Sequence, residues 1–361
     1  MNDRQRFLGT MMFKDVDRVP DYEFGYWAET MDRWHMEGLP QDQRNNRDIE
    51  LYFDLEGWDC HETLPIRTGL WPTLPSRILE QTPRRTLIDD GMGGICESLS
   101  TSTPPRYLRY PLKNHGDWEK LKPFFNPDTP GRFPLNWDEV ADGFKERGYT
   151  LSIGIGSLYG WLRNWMGFEN LSVAFYKQPD WVAEMMDTLT NLWMKIVEKA
   201  LHRVQVDCST WWEDMCYSHG PLISPRHFME FMVPRYRKVT SLLKEHGVNV
   251  NIVDCDGRID ALVPGWLEAG INCMFPVEAR HTDIYRLREK YGRKVLLMGG
   301  VNKLALMKGQ ATIDEELKRL TPLLEQGGYI PTVDHRVPPE VSLANYKYYL
   351  KQKRKWIGRG N

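Results

Sequence analysis

Residues 225–253 read PRHFMEFMVPRYRKVTSLLKEHGVNVNIV, and the change of period inside this stretch decides the fold. Phe228, Phe231, Met232, Tyr236, Val239, Leu242 and Leu243 recur at steps of three and four, which puts them on one face of a helix. Ser224 before Pro225 marks the start of that helix, and Gly247 after His246 marks its end. The run from Val248 to Val253 then has the composition of a strand. The same alternation recurs from residue 149 onward, with strands predicted at Thr150–Ile155, Val204–Trp212, Ile271–Phe275, Val295–Met298 and Tyr329–Val333. Two more are expected earlier, at Pro20–Trp27 and, more weakly patterned, near Trp58–Ile66. Eight such units close a barrel, so the expected fold is a single (β/α)8 barrel over residues 1–361 with an N-terminal extension.

Residues 84–112 break the pattern. Thr86-Leu87-Ile88 and Ile95-Cys96-Glu97-Ser98 flank a glycine-rich turn, which predicts an inserted β-hairpin over the barrel mouth. The turn lacks the following Lys-Ser/Thr and helix start of a phosphate loop. Lys113–Gly148 reads as a polar surface connection, and Thr312-Ile313-Asp314-Glu315 as another helix start.

The composition is that of an ordinary globular chain, 41% hydrophobic and 27% charged. A formal charge of -2 gives no general attraction to nucleic acid or anionic membranes. Met1–Pro20 mixes acids and bases without an apolar core, unlike a signal or transit peptide, and no run reaches the roughly 18 apolar residues of a membrane span. A soluble, cytoplasmic protein is expected. The six cysteines include no CxxC pair and are expected to be reduced. The 14 Trp and 16 Tyr serve either core packing or a ring-lined pocket for a planar ligand.

In a barrel, reactive groups belong at the carboxyl ends of the strands. Those positions hold Glu213-Asp214, Asp254-Cys255-Asp256-Gly257, Glu278 and Asp334-His335. Singly, each acid could cap a helix or pair with Arg258, Arg280 or Arg336. Together, several carboxylates in one mouth repel unless a cation sits among them. Asp254, Asp256, Glu278 and His335 would make an oxygen- and nitrogen-rich site for zinc or a harder divalent ion. Cys255 alternates with its two Asp neighbours, so it is either a packing residue on the opposite side or a further ligand.

Several runs are recognisable. Asp17-Arg18-Val19-Pro20, Gly220–Pro225 with Phe228, Phe231 and Pro234, Gly299–Lys303, and Asp334–Glu340 fall in the order seen in the uroporphyrinogen-decarboxylase-like superfamily, which the chain resembles over nearly its whole length. The decarboxylases of that superfamily carry an arginine-rich segment that grips a polycarboxylate. Tyr22–Glu29 stands in its place here, with no arginine and two acids that would repel such a substrate. The pattern is nearer to the corrinoid-dependent methyltransferases, whose zinc motif His-x-Cys-Gly falls on Asp254-Cys255-Asp256-Gly257, with later ligands on Glu278 and His335. Thiolate and imidazole ligands have largely become carboxylates, which suits polarising an oxygen rather than a sulfur.

The resemblance therefore implies metal-assisted transfer of a methyl group from an O-methyl donor, such as a methoxyarene, to a corrinoid carried by a partner protein. No corrinoid-binding Asp-x-His-x-x-Gly run is present in this chain. The implied roles are Asp254, Asp256, Glu278 and His335 for a divalent metal such as zinc, Glu213, Asp214 and His335 for proton transfer, and Trp27, Trp211 and Trp212 for the substrate pocket. A homodimer is compatible with this reading. The alternatives are a decarboxylase acting on a smaller acid, which would need arginines around its pocket, and a non-catalytic binding module.

Overall fold

The computed structural model describes residues 1–57, 62–82, 85–91, 93–99 and 106–360. Its centre is a seven-stranded sheet: β1 (Glu62–Thr63), β2 (Leu151–Gly156), β3 (Cys208–Trp212), β4 (Asn251–Asp254), β5 (Cys273–Phe275), β6 (Leu296–Val301) and β7 (Tyr329–Val333). Each strand lies beside its neighbour in sequence and all pairs are parallel. Helices connect them, including Pro179–Leu201, Val233–Glu245 and Gln310–Gln326. The extended N-terminal segment touches both edges of the sheet and curls it. At the β1 edge, Glu23 N donates to Gly57 O at 3.0 Å; beyond β7, Val337 N donates to Gly25 O at 2.9 Å. The predicted strand near Trp58–Ile66 is represented by β1, and residues 58–61 lie outside the described residues.

Alternate side chains divide between two cores, as the two-residue period of a strand requires. Cys208, Ile252, Cys273, Phe275, Met298 and Ile330 meet inside the curl with Phe7 and Met11 of the helix Asp3–Met11. Trp211, Val253, Met274, Leu297 and Val333 face the helices instead.

The segment is fastened by a buried cluster. Lys353 is fully buried, with its ammonium 2.6 Å from Glu23 and 3.3 Å from Asp21. Tyr349 and the Val333 amide also donate to Glu23, while Arg354 and Arg359 hold Asp21. Burial pushes the Glu23 carboxyl up, against the pull of Lys353. Glu23 was expected to repel a polycarboxylate; enclosed and paired, it does not face a ligand.

Other expectations shift in detail. The strands Arg85–Asp89 and Ile95–Leu99 pair antiparallel within a four-stranded sheet that also contains Arg77–Gln81 and Arg106–Arg109; part of the 84–112 segment lies outside the described residues. Lys113–Gly148 is not a bare connection. It holds the helices His115–Leu121 and Trp137–Gly143, each seven residues long and so too short to show a clear period, and each buries a tryptophan. Ser224 accepts from His227 N as its cap position implies, whereas the helix expected to start at Thr312 begins at Gln310. The five described cysteines are free thiols. Among the described residues no helix is long and apolar enough to cross a membrane.

Candidate active site

A cavity of about 330 Å³ opens where β1, β2, β3 and β4 end. Thr63, Gly156, Trp212 and Asp254 each come from the carboxyl end of one of these strands and line it, together with Thr68, Thr210 and Trp161. Parallel strands direct ligands to this end because their connecting loops converge there. Gly156, at φ +135°, is required: a Cβ there would lie 2.3 Å from the Trp161 ring that covers the strand end. Asp254 is in register with Trp212 on the adjoining strand, so carboxyl and indole share one wall.

Asp254 is the cavity's acid. Its environment pushes its carboxyl well above the usual range, first by burial and then through the nearby charges of Asp256 and Asp214, against the pull of Arg336. Beside it, Asp256 Oδ2 lies 3.3 Å from His335 Nε2, while Asp256 Oδ1 is buried without a hydrogen-bond partner. The His335 ring stacks on Trp27 at 5.5 Å and meets the edge of Phe24 at 5.7 Å. Arg336 lies over both of those aromatic rings. Asp254 and Trp212 line the cavity, and Asp256, His335 and Trp27 form a connected group beside Asp254.

The other expected residues lie differently. Glu213 is fully buried on the helix side of the sheet, where it accepts from Ser157 Oγ and from the amides of Leu158 and Tyr159. It caps the helix Tyr159–Met166. Burial raises its pKa, against the effect of those donors. Asp214 pairs with Arg163 at 2.9 Å. Trp211 lines the cavity in part, while its ring is buried between Trp193 and Tyr236 with its Nε1 donating to Ser209. Cys255 is buried in the outer core and accepts from Met215 N, so it packs rather than faces Asp254 and Asp256.

Glu278 is already engaged. Its Oε1 accepts from Lys303 Nζ at 2.8 Å and its Oε2 from Gly257 N at 2.7 Å. Asp254, Asp256, Glu278 and His335 therefore do not gather as a four-ligand cage. Among the described residues, the group of three or more His, Cys, Asp or Glu with donor atoms within 4.8 Å of one another is His115, Glu119 and Glu184. That group lies elsewhere, and Lys122 already pairs with its Glu184. Trp161 and Lys303 were missed in the sequence; each lies in the first turn of a helix that follows a strand, beyond the strand-end positions that were read.

The family model described as "Uroporphyrinogen decarboxylase (URO-D)" matches residues 98–356. A curated relative, the uroporphyrinogen decarboxylase of Syntrophotalea carbinolica, is 23% identical over 231 residues, a match covering 62% of this chain and 60% of that protein's length. Among solved structures, a methyltransferase from Methanosarcina mazei superposes with a TM-score of 0.63 at 15% identity, covering 99% of both chains. At that identity the likeness speaks for the fold.

Proposed function

Because this chain belongs to the uroporphyrinogen decarboxylase family, we propose that it uses the family's strand-end site to move a methyl group from a small O-methyl donor, a methoxyarene being the best fit, to a corrinoid held by a separate protein. We further read its sheet as a closed (β/α)8 barrel, with Asp21–Trp27 in the eighth position. The observation that carries the reaction is Asp254, a carboxyl biased toward its neutral form in a cavity walled by Trp161 and Trp212. Breaking a methyl–oxygen bond leaves negative charge on the oxygen, and an acid whose surroundings favour its neutral form can discharge it by giving up a proton. The two indoles offer faces for an aromatic ring, and the hydroxyls of Thr63, Thr68 and Thr210 offer polar contacts to orient it. The volume lies at the small end of the roughly 300–1,000 Å³ typical of ligand pockets, which favours a one-ring donor over a four-ring macrocycle.

The corrinoid would supply the reduced cobalt centre that accepts the methyl group. This chain's part is to bind the ether, exclude water and hold a proton at Asp254. After transfer, Asp256 and His335, in contact at 3.3 Å, provide a route for returning that proton from solvent. Decarboxylation is less well supported, since no lysine or arginine is among the described residues lining the cavity and Arg336, beside it, lies over the Phe24 and Trp27 rings. The test is to incubate the purified protein with reduced cobalamin and a panel of methoxyarenes, following the cobalt absorption spectrum and the released phenol. Absence of phenol from every methoxyarene, with carbon dioxide released from an aromatic acid instead, refutes this reading.

A further inference from the structure

We infer that Lys303 is a built-in cation that neutralises the strand-end acids Glu278 and Asp334 and so keeps a divalent metal ion from them. The strand-end acids require positive charge among them, and the structure supplies it covalently. Lys303 stands two residues after the end of β6, and Asn302 caps the short helix Lys303–Lys308 that it opens. Its own backbone amide donates to Asp334 Oδ1 at 3.0 Å. Its ammonium reaches Glu278 Oε1 at 2.8 Å and lies 3.9 Å from the same Asp334 oxygen. Asp334 is 1% exposed and its second oxygen accepts from Ala279 N, so the carboxyl is fixed from two sides.

Glu278 passes this constraint onward. The oxygen not held by Lys303 accepts from Gly257 N. Gly257 sits at φ +81°, where an added Cβ would fall 2.7 Å from the Tyr217 backbone, so the loop has little freedom of its own. A chain of direct contacts thus runs from Lys303 through Glu278 to the residue after Asp256. With its ammonium in place, Glu278 has one oxygen on a cation and the other on an amide, and neither is free for a metal. Removing the ammonium should turn Glu278 and Asp334 into divalent-ion ligands, with His335 and Asp256 nearby.

The experiment is read without substrate, so it stands apart from the methyl-transfer proposal. Chelator-treated wild type, Lys303→Ala and Lys303→Met are titrated with zinc by calorimetry and with cobalt(II) by visible absorption. Circular dichroism checks the fold, and the methionine variant covers the case in which alanine leaves a destabilising void. The expected result is no stoichiometric binding by wild type and a gain of about tenfold or more in zinc affinity for the variants. That gain should vanish when Glu278→Gln is added, while Lys303→Arg, which keeps the charge, should exclude metal like wild type. One equivalent of zinc held tightly by wild type and lost on Glu278→Gln overturns the inference, as does a variant that folds but binds no more metal than its parent.

Discussion

Replacing Lys353 by methionine tests the fastening of the N-terminal segment. Lys353 is fully buried and its ammonium serves Glu23, Asp21 and the Tyr22 carbonyl. Methionine keeps the length and apolar body of the side chain but strands the partners. Removing one member of a buried ion pair costs about 3–5 kcal/mol. Two features push the value to the low end: Asp21 keeps Arg354 and Arg359, and Glu23 keeps donors from Val333 and Tyr349. We expect a loss of about 3 kcal/mol at pH 7, a large part of the roughly 5–15 kcal/mol that holds a folded domain together. The sign of the pH dependence follows from Glu23. Its folded pKa is already raised by burial, and losing Lys353 raises it further, so the folded state binds more protons than the unfolded one. Stability of the variant, relative to wild type, should therefore recover as pH falls toward the ordinary carboxylate range and worsen as it rises. Urea unfolding followed by tryptophan fluorescence at two pH values measures both effects. A loss under about 1 kcal/mol, or a deficit that grows on acidification, would show that the pair is not what fastens Asp21–Trp27.

Asp254→Asn should lower the rate by about 10²–10⁴-fold, the usual contribution of a general acid. It should also raise the melting temperature at pH 7, because an amide avoids the proton uptake on folding that a carboxyl with a raised pKa demands. The wild-type rate should fall as pH rises through the elevated Asp254 pKa, a limb the variant lacks; a variant retaining more than about a tenth of wild-type activity excludes this role. Glu213→Gln, which sets an amide against the Leu158 and Tyr159 amides, should cost about 1–3 kcal/mol in urea unfolding with little change in kcat. A collapse of kcat without loss of stability would return Glu213 to the reaction. Trp27→Ala removes the ring stacked on His335, a contact worth about 0.5–1.5 kcal/mol, so kcat/KM should fall by up to about tenfold. An unchanged kcat/KM would place Trp27 outside the site.

Much of this molecule is legible in the one-dimensional pattern. The switch from a three-to-four-residue period to β-rich runs, repeated from residue 149 onward, leads directly to parallel strands joined by helices, because each helix must bury one face and each strand needs a covered neighbour. Reading the residues that follow each run also brought Asp254, Asp256, His335 and Trp212 forward as candidates. The short helices at His115–Leu121 and Trp137–Gly143 were not legible, since two turns give too few repeats to establish a period.

What only the tertiary structure decided is which strand-end acids share a space. Glu213 and Asp254 look alike in sequence, yet one is sealed among helices and the other lines the mouth. The strands are apolar on both faces, so alternation says that neighbours diverge without saying which faces the mouth. Likewise, Glu278 reads as a metal ligand until Lys303, twenty-five residues away in the chain, is brought to 2.8 Å from it. A carboxylate's chemistry depends on the charge beside it and the water around it, and both are set by the fold.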